Sequence, residues 1–375
     1  MAVLRDLAAR PSFFTAFDFS SLLAFALRRS RENPVARDCF PGKQYDTLHY
    51  ITSARAPPIA RQGRESAMDE GYRLISYRHN GRDVAGVLSD GLVYPAADLV
   101  GDIPEAGTVI GLLNAWDRAH PRIHAAVKNA KGGVPFSKVE LLAPILYPGS
   151  LFCAGANYWD HLEEMAEIAK RTTGKELSMT KGAEPWFFMK TTAGSIIGDG
   201  APARLPKFSQ QVDWEGELGV VIGRSTRSIS EAKAFDAVAG YVIINDLSAR
   251  DLMKRDGTPF IYDWIGQKCF ADAAPMGPWF TPAAYVRDPN NLAIKLWVNG
   301  VLKQDSNTGK MVHGIAEQVA YLSRHVTLQP GDVIATGSPA GVGMPRGEFL
   351  KIGDEVKIEI EGCGTLTNRM VADDQ

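Results

Sequence analysis

Asp213-Trp214-Glu215-Gly216-Glu217, continuing as Leu218-Gly219-Val220-Val221-Ile222, is the stretch whose reading decides the fold. It alternates at first and then turns β-branched and apolar, the pattern of a strand running from a polar end into a core. Side chains alternate faces along a strand, so Asp213, Glu215 and Glu217 are expected on one side. Carboxylates crowded on one face repel each other; either a cation lies between them or their pKa values rise. All-oxygen ligands suit a hard divalent ion: Mg2+, Mn2+ or Ca2+. The same acids on a solvated strand face need no ion, so Glu-x-Glu alone leaves both readings open.

The chain around this stretch has 375 residues, 45 % of them hydrophobic and 22 % charged, with a net charge of −2. That length allows two domains. That charge gives no basis for nucleic acid or a membrane surface as partner. Cys39, Cys153, Cys269 and Cys363 are scattered, with no C-x-x-C pair. This argues against a zinc site or a disulfide framework and suits a reducing compartment, so a cytoplasmic location is expected. No apolar run approaches the roughly 20 residues of a membrane helix. Residues 1–67 carry ten Lys/Arg against six Asp/Glu, unlike the acidic remainder. They are expected to be an N-terminal extension, either disordered or lying upstream of a start at Met68. A mitochondrial transit segment is the alternative.

From Tyr72 the pattern is that of strands and tight turns. Tyr72–Tyr77 and Val84–Leu88 flank Asn80-Gly81, a strong hairpin signal, and Asp90-Gly91 makes a second turn. Helices are expected over Thr108–Ala115 and Pro121–Lys128. Together these form a small β-rich N-terminal lobe, 68–148, closed by the prolines of Pro144–Pro148. A catalytic domain, 149–375, follows. It opens with strand Leu151–Ala154 and helix Trp159–Lys170, which places His161 and Glu164 on one face. Further strands are expected at Pro185–Lys190, Tyr241–Ile244, Leu296–Val298, Val301–Lys303, Asp332–Thr336, Val356–Ile360 and Thr365–Met370. Helices are expected near Ser230–Ala239, from Ser248 to Leu252, and at Ile315–Ser323. Strands dominate without regular helix alternation. The fold class is therefore α+β and β-rich, a mixed β-roll with peripheral helices and not a doubly wound sheet.

Asp246 ends an apolar strand. It reads as a third carboxylate beside Glu215 and Glu217, or as a cap for the segment after it. Asn157-Tyr158 with His161 and Glu164, Asp213-x-Glu215-x-Glu217, Asn245-Asp246-x-Ser-Ala-Arg250-Asp251, Gly266-x-Lys268, and Thr336-Gly337-x-Pro339-x-Gly341-Val342-Gly343 occur in this order. Together they resemble the fumarylacetoacetate hydrolase family over roughly residues 68–372. The resemblance implies a usually dimeric enzyme that binds a small 2-oxo acid on Mg2+ or Mn2+. It implies Glu215, Glu217 and Asp246 as metal ligands, His161 and Glu164 as a general-base dyad, and Lys268 as a catalytic contact to substrate oxygens. Tyr158, Lys190, Arg250 and Thr336 are implied as substrate-binding residues. Two plainer readings stand beside these: Arg250 paired with Asp251, and Lys268 as a surface lysine.

The activity the resemblance implies is hydrolysis of a C–C bond in a 2,4-dioxo acid of the acylpyruvate or fumarylpyruvate type. An oxaloacetate decarboxylase or a hydroxymuconate isomerase on the same scaffold is the alternative, since those reactions share an enolate. Three positions depart from the family pattern: Met253 where some members have Gln, Thr191 where Pro is common, and a long segment between Glu164 and Lys190. They bear on substrate identity and not on the metal site.

Overall fold

Asn80-Gly81, Asp90-Gly91 and Asn299-Gly300 all adopt positive φ at both positions (50° and 75°, 48° and 73°, 51° and 77°). These are the turns whose twist matches that of two antiparallel strands, and each closes a hairpin at the expected place. The computed structural model describes residues 71–174, 176, 179–257 and 259–374. The N-terminal extension expected at 1–67 lies outside the described residues. Contacts divide the chain into two units, of which the second has its described residues within 71–166 and 179–374. The second holds the sheets.

The first strands are β1 (Arg73–His79), β2 (Arg82–Ser89) and β3 (Leu92–Pro95). Strands β4 (Leu151–Ala154), β5 (Phe187–Lys190), β6 (Gly216–Ile222), β7 (Val238–Asn245) and β8 (Ala274–Pro282) follow. Then come β9 (Ala293–Val298), β10 (Val301–Asn307), β11 (Val333–Ala335), β12 (Glu355–Ile360) and β13 (Gly364–Ala372). Among the described residues one mixed twelve-stranded sheet runs β3-β2-β1-β8-β7-β6-β11-β4-β5, with short strands at its margins. A second sheet of five strands runs β10-β9-β12-β13 and ends on Ala203–Leu205.

Strand β8 joins the hairpins to the rest of the large sheet. It pairs with β1 at Leu74 opposite Phe280 and with β7 from Gly240 opposite Pro282 to Ile244 opposite Met276. The sheet therefore passes without a break across the proline-rich stretch at 144–148. Pro275, Gly277, Pro278 and Pro282 hide this strand from a sequence reading. Proline removes ladder donors, and here the pairing with β7 shifts register between Tyr241 and Ile243.

Strands β6 and β7 serve two cores. Leu218, Val220, Ile222, Tyr241 and Ile243 pack in one cluster with Trp214 and strand β9 residues Ile294 and Leu296. Val221, Val242 and Ile244 pack in the other with Leu74, Val87, Leu112 and Ile123. Both faces of these strands are buried, and for that reason their sequences are apolar almost throughout.

Helix α1 (Val109–Asn114) starts at Thr108, whose Oγ1 accepts from Gly111 N–H at 3.0 Å. Helix α2 spans Trp116–Val127 and begins before Pro121, because Ala115 O already takes the N–H groups of Arg118 and Ala119. Helix α3 spans Trp159–Thr173, three residues beyond the expected end. In its last turn Thr172 and Thr173 donate their hydroxyls to Ile168 and Ala169 carbonyls. Helices α4 (Trp264–Lys268) and α5 (Ile315–His325) complete the set used below. Two expected helices are something else. Glu231–Ala237 is a 3-10 helix. Ser248–Ala249 pairs with Val212–Asp213 as a short strand before a single 3-10 turn, Arg250–Leu252.

Candidate metal centre

The acidic stretch does not run as one strand. Val212–Asp213 pairs with Ser248–Ala249, while Gly216 onward pairs with β7. Between them Trp214 turns into the core, and its indole N–H donates to Gly341 O at 3.0 Å. The break separates Asp213 from the two glutamates. Asp213 accepts from Arg250 Nε and from Met344 N–H, each at 2.8 Å.

The break also brings three other carboxylates together. Glu215, Glu217 and Asp246 are buried, and each offers an oxygen within 4.8 Å of the others. Asp246 is fixed from β7: Asp246 N–H donates to Glu215 O at 2.9 Å, and Glu215 N–H donates to Asn245 Oδ1 at 3.1 Å. The expected helix cap is not its role, since the segment after it is a strand.

Three cations surround the acids. Lys268 Nζ bridges Glu215 Oε2 (2.6 Å) and Asp246 Oδ2 (2.7 Å). Lys190 Nζ reaches Asp246 Oδ1 (2.6 Å) and Leu247 O (2.9 Å). Arg250 joins Asp213 to Glu215, with Nη2 to Oε1 at 2.6 Å. The plain pairing of Arg250 with Asp251 does not occur; Asp251 accepts from Ser209 Oγ and Gln210 N–H instead. Nor is Lys268 a surface lysine, at 3 % exposure.

Counted as ionised, the four carboxylates exceed the three cations by one negative charge. Burial raises the pKa of Glu215, but Arg250 and Lys268 outweigh it and hold the carboxyl well below the usual range. Burial, then Asp246 and Glu215, push Glu217 well above it. Glu217 is thus the uncompensated member, held by Gly337 N–H at 2.8 Å. A divalent ion fits here. The donors are all hard oxygens, and the ion would turn an excess negative charge into an excess positive one, which a bound carboxylate neutralises.

Helix α3 carries the expected dyad. His161 Nδ1 lies 3.5 Å from Glu164 Oε2, a charge contact longer than a good hydrogen bond. Glu164 Oε2 also accepts from Gly341 N–H at 3.1 Å, and Arg346 Nη2 lies 3.7 Å from Oε1. Burial pushes the Glu164 carboxyl up, yet His161 and the Gly341 N–H together hold it below its ordinary value.

Three of the four residues expected to bind substrate are hydrogen-bonded to protein groups. Lys190 and Arg250 are counter-ions of carboxylates in the centre. Thr336 is buried, with its hydroxyl donating to Leu218 O at 2.9 Å. Tyr158 is buried in the core among Trp214 and Leu218, and its hydroxyl has no hydrogen-bond partner. Lys268, expected at substrate oxygens, bonds to the ligand carboxylates instead. Lys190, Lys268 and Arg250 thus meet on the carboxylates of one centre, while Thr336 bonds to backbone and the Tyr158 hydroxyl is unpaired.

Two supporting residues carried no assigned role in the sequence. Asn157 donates to His313 O and Thr336 O and accepts from His313 N–H, tying the start of α3 to the end of β11. Gln304 bonds to the strand between the two glutamates. An amide in a strand looks like any surface polar residue, so only the three-dimensional arrangement reveals it.

Residues 150–371 match the fumarylacetoacetate (FAA) hydrolase C-terminal family, and the chain belongs to the fumarylacetoacetate hydrolase family. It is 39 % identical over 289 residues to the mitochondrial oxaloacetate tautomerase fahd2 of Xenopus laevis, covering 72 % of this chain and 85 % of that one. The crystal structure of maleylpyruvate hydrolase from Sphingobium sp. SYK-6 in complex with manganese(II) ion and pyruvate is similar, with 28 % identity and a TM-score of 0.64 over 80 % of this chain and 100 % of that one. So is 2-hydroxyhepta-2,4-diene-1,7-dioate isomerase from Mycobacterium marinum, with 31 % identity and a TM-score of 0.60 over 81 % of this chain and 100 % of that one. The chain is thus a member of an enzyme family whose named members include tautomerases, isomerases and hydrolases.

Proposed function

We propose that this chain is a metal-dependent tautomerase that interconverts the enol and keto forms of a 2-oxo dicarboxylic acid of the oxaloacetate type. The observation that carries this is the buried three-carboxylate centre with Glu217 in charge excess. The name of the Xenopus relative supports the choice of reaction and substrate. This moves the weight from C–C hydrolysis to the isomerase alternative.

Glu215, Glu217 and Asp246 would hold a Mg2+ or Mn2+ ion, which would supply Lewis acidity to a 2-oxo carboxylate bound there and make its C3 protons more acidic. The manganese in the Sphingobium structure supports Mn2+ as one such ion. Lys190, Lys268 and Arg250 hold Glu215 and Asp246 in place. With Nδ1 of His161 facing Glu164, its Nε2 is the atom that exchanges a proton with substrate. Tautomerisation needs one proton to leave the enol oxygen and one to arrive at C3, and no water is consumed.

Hydrolysis of an acylpyruvate is the second reading. The contact between His161 and Glu164 favours it, because attack by water needs a base. Mixing the purified protein with Mg2+ or Mn2+ and following the ultraviolet absorbance of enol-oxaloacetate, with an acylpyruvate panel in parallel, separates the two. Enol decay that is no faster than with metal alone would overturn the tautomerase reading.

The mitochondrial name of the relative supports the mitochondrial alternative for location. No described helix is long and apolar enough to cross a membrane. The homodimer remains a proposal from the family resemblance, which light scattering on the purified protein tests.

A further inference from the structure

Gln304 lies in β10 of the five-stranded sheet, outside the strands that carry the metal centre, and is 1 % exposed. The pairing of β9 with β10 shifts register between Leu296 and Trp297, opposite Gln304 and Leu302, and leaves Lys303 as an extra residue. Such bulges re-aim the neighbouring side chain. Here the aim is at the acidic stretch. Gly216 N–H donates to Gln304 Oε1 at 2.9 Å, and Gln304 Nε2 donates to Ser338 Oγ at 2.9 Å and Pro339 O at 2.8 Å. An N–H on one side and a carbonyl on the other fix which way the amide points.

Both ends of this bridge matter to the centre. Gly216 separates Glu215 from Glu217. A Cβ at Gly216 would come within 3.2 Å of Gln304 Oε1 and crowd this contact. Pro339 sits midway in the segment Gly337–Gly341. The first N–H of that segment holds Glu217 Oε2 and the last holds Glu164 Oε2. The segment passes tightly over β10: a Cβ on Gly341 would lie 2.0 Å from Lys303 O.

We propose that Gln304 is a positioning residue that locks the strand bearing Glu215 and Glu217 to the segment that holds Glu217 and Glu164. The proposal rests on the reading that the three carboxylates hold a divalent ion. Gln304 touches neither metal nor substrate. It sets the distance between the peptide of one ligand and the N–H that orients another. Partners of this kind commonly change metal affinity about 10–100-fold when removed.

The test is Mn2+ binding to metal-free protein, read as Kd and as the electron paramagnetic resonance spectrum of the bound ion. Gln304→Met keeps the volume and removes both halves of the bridge. Gln304→Glu keeps the acceptor for Gly216 but sets a carboxylate against Pro339 O. Both are expected to raise the Mn2+ Kd about tenfold or more and to alter the bound spectrum, while circular dichroism stays that of the parent. A residue that only fills the core would lower the melting temperature and leave Kd and spectrum unchanged, and that result would overturn the proposal. Should Gln304→Met fail to fold, Gln304→Glu decides on the same two readouts. Parent protein that takes up no Mn2+ would overturn the metal reading itself; normal uptake with parent-like variants would overturn only the role of Gln304.

Discussion

The backbone N–H of Gly337 donates to Glu217 Oε2 at 2.8 Å. Glu217 therefore differs from the two carboxylates beside it. Glu215 and Asp246 are bonded to ammonium or guanidinium groups, whereas among the described residues no cation pairs directly with Glu217. A buried carboxylate without a counter-ion costs free energy. In the metal reading that cost is kept because the ion offsets it.

Glu217→Gln keeps the shape and an acceptor for Gly337 N–H, and it removes the charge. It should raise the melting temperature of the metal-free protein and abolish the further rise that Mn2+ gives the parent. Differential scanning calorimetry with and without Mn2+ reads both effects. A variant that is less stable than the metal-free parent and still stabilised by Mn2+ would remove Glu217 from the ligand set.

Lys268 makes the opposite case. Its ammonium is shared between Glu215 and Asp246 at 2.6 and 2.7 Å, and the side chain is 4 % exposed. Removing one partner from a buried ionic group leaves charge uncompensated and costs about 3–5 kcal/mol. Lys268→Met should lower stability by that order in urea unfolding of the metal-free protein. Mn2+ should recover part of the loss, because it replaces positive charge at the same oxygens. Unchanged stability would show that Lys268 is no structural counter-ion.

Phe280 tests the strand that the sequence hid. It is fully buried in β8, opposite Leu74, with its ring edge-on to Trp116 at 5.3 Å between centroids. Truncating such a side chain removes transfer free energy and leaves a cavity, at about 3–5 kcal/mol for Phe to Ala. Phe280→Ala should cost that much in urea unfolding, with one transition if the large sheet unfolds as a unit. A second, separate transition would show that the hairpins of 73–95 melt independently.

Some of this was legible in the chain and some was not, for physical reasons. The turns at Asn80-Gly81 and Asn299-Gly300 are local, because backbone conformation there is set by the two residues themselves. Strands such as Leu151–Ala154 declare themselves through apolar runs. Strand β8 does not, since its prolines mimic a loop, and its pairing depends on partners far away in sequence. The grouping of Glu215, Glu217 and Asp246 was reachable from motif order. Alternation alone would have placed Asp213 with them, and the break at Trp214 cannot be read from period two. The partners of Lys190, Lys268 and Arg250 are equally non-local, and charge type alone says nothing about whether a lysine faces substrate or a ligand carboxylate.

The dyad supplies the last prediction. Glu164 is held below the usual carboxylate range: burial pushes it up, and His161 and the Gly341 N–H outweigh that. A carboxylate with a depressed folded pKa stabilises the fold above its unfolded value of about 4.3 and loses that contribution as pH falls through the folded value. Glu164→Gln should therefore be less stable than the parent at pH 7, and the two urea midpoints should converge below about pH 4. The same change leaves His161 without its orienting charge. His161→Ala removes the proton-exchanging group itself and should lower turnover by about 10²–10⁴-fold, the usual contribution of a positioned acid or base. Mn2+ and oxalate should bind both variants as they bind the parent, because neither residue belongs to the ligand set. The substrate used decides between the two reactions. Loss of acylpyruvate cleavage with enol-oxaloacetate turnover intact would assign the dyad to hydrolysis. Loss of enol-oxaloacetate turnover, in variants that still bind oxalate, would make His161 the proton shuttle of a tautomerase. Parent rates on both substrates would take the dyad out of the mechanism.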